Sequence, residues 1–285
     1  MKKLLLLAAA ALAFGTAQAQ TAALSCCTRP AGPSATEAFA MLASNQEFVG
    51  GHDAPLPYTY AGEGEMVEFK TPDGKSGRGF EIKSATPSNK YLLVYQEWWG
   101  LNDYIKKEAA RFAEEMPGVN VLAVDLYDGR VAGSPEEAGK LMQSINTDRA
   151  MAIVKGAQLH AGPKARIASV GWCFGGGWSL QSALLGGKQT VGCVMYYGMP
   201  EKDVAKLKTL NSDVLGLFAE YDKSISPEVV AQFEKNMAAA GKKLTVKEYP
   251  AVHAFANPSN PKYDQALAED AHQRALTYLK ARLKA

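Results

Sequence analysis

Ten residues, Val170-Gly171-Trp172-Cys173-Phe174-Gly175-Gly176-Gly177-Trp178-Ser179, limit what this chain can become more than any other stretch. They join a β-rich run, Ala165–Val170, to an apolar helical run, Trp178–Leu185, that stops at Gly186-Gly187. A strand passing so abruptly into a helix makes a tight turn, with Cys173 thrust outward at its tip on strained backbone. Residues two before and two after the tip almost touch their neighbours, so Gly171 and Gly175 fit where larger residues would not. The helix start aims free N–H groups and its positive end at the sulfur, which favours thiolate. The spacing Gly-x-Cys-x-Gly is that of a nucleophile elbow with sulfur in place of a hydroxyl. A buried structural cysteine beside a glycine-rich helix start is the competing reading. The choice turns on whether a base and an acid follow in the right structural places.

Around this turn, strands and helices alternate. Met66–Lys70 and Gly79–Lys83 read as strands flanking the hairpin signal Pro72-Asp73-Gly74. Tyr91–Gln96, Val119–Val124, Val191–Tyr197, Asp213–Ala219 and Leu244–Tyr249 read as further strands. Helical spacing marks Asp103–Glu115, with Asn102 or Asp103 as N-cap, and Pro135–Gln143, Asp148–His160, Pro227–Ala240 and Tyr263–Leu283. Strands that are continuous apolar runs separated by helices imply an α/β fold: a single domain with a mostly parallel sheet and helices on both faces. Such sheets place ligand sites at the carboxyl ends of their strands.

The chain opens with Met1-Lys2-Lys3, a short apolar run to Phe14 and Ala17-Gln18-Ala19, the three parts of a secretory signal. Residues 1–19 are therefore assigned to a signal peptide, 20–63 to a leader and extension, and 64–285 to the α/β domain. The expected address is exported, either periplasmic or secreted. Loss of Lys2 and Lys3 takes the 31 basic residues to 29, against 29 acidic ones. A neutral mature chain gives no reason to expect nucleic acid or an anionic membrane as partner, and no later segment reads as membrane-spanning. Cys26 and Cys27, just past the signal, point to a disulfide rather than lipid attachment, and Cys193 sits in an apolar strand as core. In the extension, Ala35–Phe48 has helical spacing and Gly50-Gly51 breaks it. His52 then reads as a loop residue rather than a ligand, because no partner His or Cys sits at ligand spacing.

Of the four histidines, only His253 directly follows a strand and precedes the last helix. His160 falls near a helix end, and His272 sits among Glu269, Asp270, Gln273 and Arg274 on what reads as a wet helix face. Asp222 follows the strand before His253; Glu220 competes with it, but Asp222 leaves a natural offset to the helix start at Pro227. Nucleophile, acid and base in that order, each at a strand end, give Cys173, Asp222 and His253 as a candidate triad. The N–H groups of Phe174 and Trp98 are the expected oxyanion donors. Glu97, a carboxylate ending a buried strand, is expected to face Cys173 and influence its ionisation, unless it pairs with an arginine. Trp98, Trp99 and Trp172 are expected to form an aromatic wall for an organic substrate.

Taken jointly, Gln96-Glu97-x-x-Gly-x-Asn, Asp125-Leu126-Tyr127, Gly171-x-Cys173-x-Gly-Gly, Tyr196-Tyr197-Gly198, Asp222 and His253-Ala254-Phe255 resemble the dienelactone hydrolase family from about Gly64 onward. The resemblance implies an α/β-hydrolase domain, a Cys–His–Asp triad, no metal and no organic cofactor. It implies that Glu97 holds the resting cysteine until substrate triggers thiolate formation. It further implies substrate contacts from Tyr127 and Arg130, the latter matching an arginine that grips a substrate carboxylate. Asn257 stands where a second such arginine is expected, and a neutral amide forms no bidentate ion pair. A neutral or differently charged ester or lactone is therefore as good a substrate expectation as a dienelactone. Thiol-dependent acyl transfer or amide cleavage on the same triad, and a non-catalytic exported binding protein, are the alternatives. Small hydrolases of this fold suggest a monomer or small homo-oligomer.

Overall fold

A computed structural model of the chain describes residues 34–285; the expected signal segment, Cys26 and Cys27 lie outside the described residues. Eight strands form one sheet: β1 (Glu65–Lys70), β2 (Ser76–Ile82), β3 (Lys90–Tyr95), β4 (Asn120–Asp125), β5 (Arg166–Trp172), β6 (Thr190–Tyr196), β7 (Val214–Ala219) and β8 (Leu244–Tyr249). Their order is β1-β2-β4-β3-β5-β6-β7-β8. β2 pairs antiparallel with both β1 and β4, and every later pairing is parallel, so β2 alone runs against the rest. The turn between β1 and β2 uses Gly74 at φ 80°, a conformation glycine adopts without strain.

The helices are α1 (Ala35–Met41), α2 (Gln46–Gly50), α3 (Asp103–Glu115), α4 (Pro135–Gln143), α5 (Thr147–Ala161), α6 (Phe174–Gly186), α7 (Val204–Leu207), α8 (Pro227–Ala239) and α9 (Gln265–Leu283). Several start on a side-chain cap: Ser34 and Glu37 form a reciprocal capping box, and Asn102 accepts from the Ile105 amide at 3.1 Å. α3 and α9 pack on the sheet and meet through Arg111 and Glu269. α5 and α6 pack together on its other side. Every residue of β4 and of β7 is buried, as strands covered on both faces must be. Four-residue α7 has too little periodicity to be read from sequence.

Two placements differ from the sequence reading. His272 is buried, stacked on Phe112 with ring centroids 4.7 Å apart, and its Nε2 meets Glu115. Its neighbours Ala268, Ala271, Ala275 and Leu276 form the buried face of α9, and the charged residues lie on the other. The extension is also more than a leader: α1 and α2 pack against α4, and α1 against α6, folding residues 34–52 over the elbow.

Candidate active site

The chain order of the sheet reverses around β3 and β5, and the segments leaving their carboxyl ends build the site. After β5, Cys173 occupies φ 56°, ψ −119° and α6 begins at once. A Cβ on Gly171 would lie 2.1 Å from the Gly175 carbonyl oxygen, and one on Gly175 would lie 2.2 Å from that of Tyr95. A Cβ on Gly176 would lie 2.6 Å from the Tyr196 carbonyl oxygen, and one on Gly198 2.4 Å from the Gly176 carbonyl carbon. The glycines therefore let β3, β5, β6 and α6 close up around the cysteine, and the backbone strain at Cys173 is held by that packing.

The sulfur is buried, with Cys173 only 1% exposed. Burial foremost, then the nearby charge of Glu97, push its pKa well above the ordinary thiol value. The backbone N–H groups of Phe174 and Trp98 face the sulfur and oppose that rise without cancelling it. The resting thiol is thus protonated, in contrast to the thiolate that the helix start alone would favour.

Asp222 and His253 come to the same place from the ends of β7 and β8. His253 Nδ1 donates to Asp222 Oδ2 at 2.5 Å, and Asp222 Oδ1 accepts from the amides of Ser224 and Ile225 at 2.8 and 2.9 Å. Burial works against the Asp222 carboxylate, but the His253 ring and these amides outweigh it and hold its pKa below the usual value. Glu220, the competing acid, is exposed. One ring nitrogen of His253 lies within 4.8 Å of Cys173 Sγ.

Glu97 is buried, and its carboxyl pKa rises to about 8, through desolvation first and the charge of Glu108 second. One oxygen accepts a hydrogen bond from Asn257 Nδ2, and no arginine among the described residues pairs with it. Asn257 is therefore tied to Glu97, and its Oδ1 accepts from Ser259. Glu97, Glu108, Trp172 and Asn257 line a cavity of about 20 Å³, room for one water rather than a substrate.

The aromatic residues are present but covered. Trp98 lies under Phe48 and His52, with ring centroids at 5.3 and 4.7 Å, and Trp99 packs on Trp98 at 5.0 Å. Trp172 packs on Phe112 and Tyr196. Tyr127 is buried against Phe174 at 5.6 Å. Arg130 is exposed and donates from Nε to the Tyr127 carbonyl at 3.0 Å.

Sequence reasoning missed three contributors. Tyr197, at φ 36°, stacks on His253 with centroids 5.0 Å apart. Phe48 lies 5.6 Å from the His253 ring. His52, read as a loop residue, is buried 5.2 Å from His253 and within 4.8 Å of the sulfur. No local pattern signals His52; Phe39 and Phe48, buried on α1 and α2, anchor the segment that carries it.

An eight-stranded, mostly parallel sheet with an elbow cysteine, a histidine and an aspartate at successive strand ends defines the α/β-hydrolase class. The model of the dienelactone hydrolase family matches residues 78–283, and the chain belongs to that family, whose members are carboxylic ester hydrolases. Protein usf of Aquifex pyrophilus is 30% identical over 233 residues, which is 76% of this chain and 98% of that one. Carboxymethylenebutenolidase 1 of Cupriavidus pinatubonensis is 24% identical, covering 75% of this chain and 95% of that one. The solved structure of P91, a dienelactone hydrolase-like promiscuous phosphotriesterase from metagenomic libraries, superposes with a TM-score of 0.66 at 21% identity, covering 78% of this chain and 99% of that one. The matched region leaves out residues 34–52.

Proposed function

We propose that the protein hydrolyses small uncharged esters or lactones through an acyl-enzyme on Cys173. The observation that carries this is one sulfur flanked by two backbone N–H groups and a histidine whose far nitrogen is held by a buried aspartate. With Nδ1–H donating to Asp222, His253 presents the lone pair of Nε2 and takes the thiol proton. The thiolate attacks the ester carbonyl, and the oxyanion is held by the amides of Phe174 and Trp98. Those amides face the resting sulfur, so the sulfur must swing aside as the carbonyl oxygen enters. Imidazolium returns the proton to the departing alkoxide. Water then attacks the thioester, His253 removes its proton, and the acid leaves.

The charged side chain felt by the sulfur at neutral pH is the Asp222 carboxylate, because Glu97 keeps its proton up to about pH 8, and Arg130 is engaged elsewhere. An acyl group bearing its own carboxylate would meet repulsion there, which supports an uncharged substrate. The buried thiol requires residues 34–52 to lift for entry. Cys173→Ala should abolish hydrolysis of short activated esters, and the parent should prefer neutral esters over carboxylate-bearing lactones in kcat/KM. Full activity in the variant overturns the mechanism; the opposite preference overturns the substrate class. We further propose export with cleavage after Ala19. Mass measurement of the mature chain from cell fractions tests it, and an intact Met1 in the cytoplasm refutes it.

A further inference from the structure

Cys173 Sγ and one ring nitrogen each from His52 and His253 lie within 4.8 Å of one another. The two rings are oriented alike. His52 Nδ1 donates to the Phe48 carbonyl at 2.7 Å, as His253 Nδ1 donates to Asp222. In a neutral imidazole the nitrogen opposite the donor carries a lone pair. Both Nε2 atoms are buried, and neither has a hydrogen-bond partner among the described residues. Two lone pairs therefore face a site with one proton to offer, that of the thiol. Buried acceptors are rarely left open, and the described residues supply no donor for the second.

Two uncharged imidazoles and a thiol that can ionise are the donor set that borderline divalent cations take. The far ring nitrogens are held by a carbonyl and a carboxylate, the support usual for metal-bound histidine.

We propose that His52, Cys173 and His253 form a binding site for a divalent cation of the zinc class, which locks residues 34–52 over the thiol. Metal–nitrogen and metal–sulfur bonds form, the S–H bond breaks, and one proton passes to solvent. Water takes the fourth position. Zinc bond lengths place neighbouring ligand atoms roughly 3.3–3.6 Å apart, so the three atoms draw in by on the order of 1 Å, within reach of side-chain rotation. His52 lies outside the matched family region, so the site belongs to the extension as much as to the hydrolase core. The site rests on the geometry alone. Its consequence, that bound metal silences turnover by occupying both sulfur and base, rests on the proposed hydrolase reading.

The test uses the full mature chain, stripped with a chelator and titrated with Zn²⁺ by calorimetry and with Co²⁺ by absorbance. One equivalent of Co²⁺ should give a thiolate-to-metal charge-transfer band, absent in Cys173→Ser. Binding should release one proton, and affinity should fall at least tenfold in both His52→Ala and His52→Gln, each checked for folding by circular dichroism. Absence of one-to-one binding, or unchanged affinity in a folded His52 variant, overturns the site. Ester hydrolysis measured on the same metal-free samples separates the two ideas. Metal binding without any hydrolysis sinks the hydrolase reading and leaves the site; hydrolysis with no metal binding does the reverse.

Discussion

Replacing Glu97 by glutamine should stabilise the protein, and increasingly so as the pH rises. The carboxyl is buried with one oxygen bonded to Asn257, and the other lacks a partner among the described residues. Desolvation, then Glu108, raises its pKa from 4.5 to about 8. Below pH 4.5 the group is protonated in both the folded and the unfolded chain and costs nothing. From there to about pH 8 the unfolded chain releases a proton that the folded chain keeps, so stability falls as pH rises; above it the loss is complete. At about 1.4 kcal/mol per tenfold, the full penalty is on the order of 5 kcal/mol. Glutamine keeps the acceptor for Asn257 and carries no charge. The advantage of Glu97→Gln should therefore grow by roughly 4 kcal/mol between about pH 5 and about pH 9. Urea unfolding of both proteins across that range measures the difference, in which titrating groups not coupled to Glu97 cancel. Curves parallel to within about 1 kcal/mol would mean that Glu97 is solvated or paired, and the account of the resting thiol would fail with it.

The remaining expectations concern the elbow, the triad and the covering segment. Gly175→Ala forces a Cβ to 2.2 Å from the Tyr95 carbonyl oxygen and should cost about 3 kcal/mol or more. Gly118→Ala, where nothing lies within 4 Å, should stay within about 0.5 kcal/mol in the same urea titration; equal effects would refute the packing argument. Asp222→Asn should lower kcat by on the order of 10³–10⁴, as loss of the orienting acid does in other triads, and steady-state kinetics showing less than tenfold loss would remove Asp222 from that role. Phe48→Ala, which strips an aromatic contact from Trp98 and His253, should raise the rate of Cys173 alkylation by iodoacetamide at least tenfold; an unchanged rate would show that residues 34–52 do not shield the thiol.

The central sheet was legible because each strand is a short apolar run that needs cover on both faces. Tyr91–Gln96 and Val119–Val124 were placed within a residue or two of β3 and β4 for that reason. The elbow was legible because any Cβ at Gly171 or Gly175 would lie 2.1–2.2 Å from a backbone carbonyl oxygen, so only glycine fits there. Asp222 and His253 were found by position alone, since a parallel sheet gathers its strand ends however far apart they are in sequence. Pattern reading failed where charge density masked periodicity. His272 stands beside four polar residues in sequence, yet recurrence of Ala268, Ala271, Ala275 and Leu279 puts it on the buried face.

His52 illustrates a deeper limit. A ligand or base is recognised in sequence by spacing only when its partners lie on the same local element, and those of His52 are brought together by the sheet. The covering segment also explains why the expected substrate contacts are hidden. Phe48 and His52 lie against the same Trp98 whose amide faces the sulfur, so the apolar surface a substrate would use is already filled by the chain itself. On the proposed hydrolase reading, substrate displaces that surface and recovers the burial it loses, which favours an organic acyl group of comparable apolarity over a small polar one. The exposed ion pair between Lys223 and Glu47 adds little to that hold. If residues 34–52 lift for substrate as proposed, opening should respond to ring truncation far more than to ionic strength.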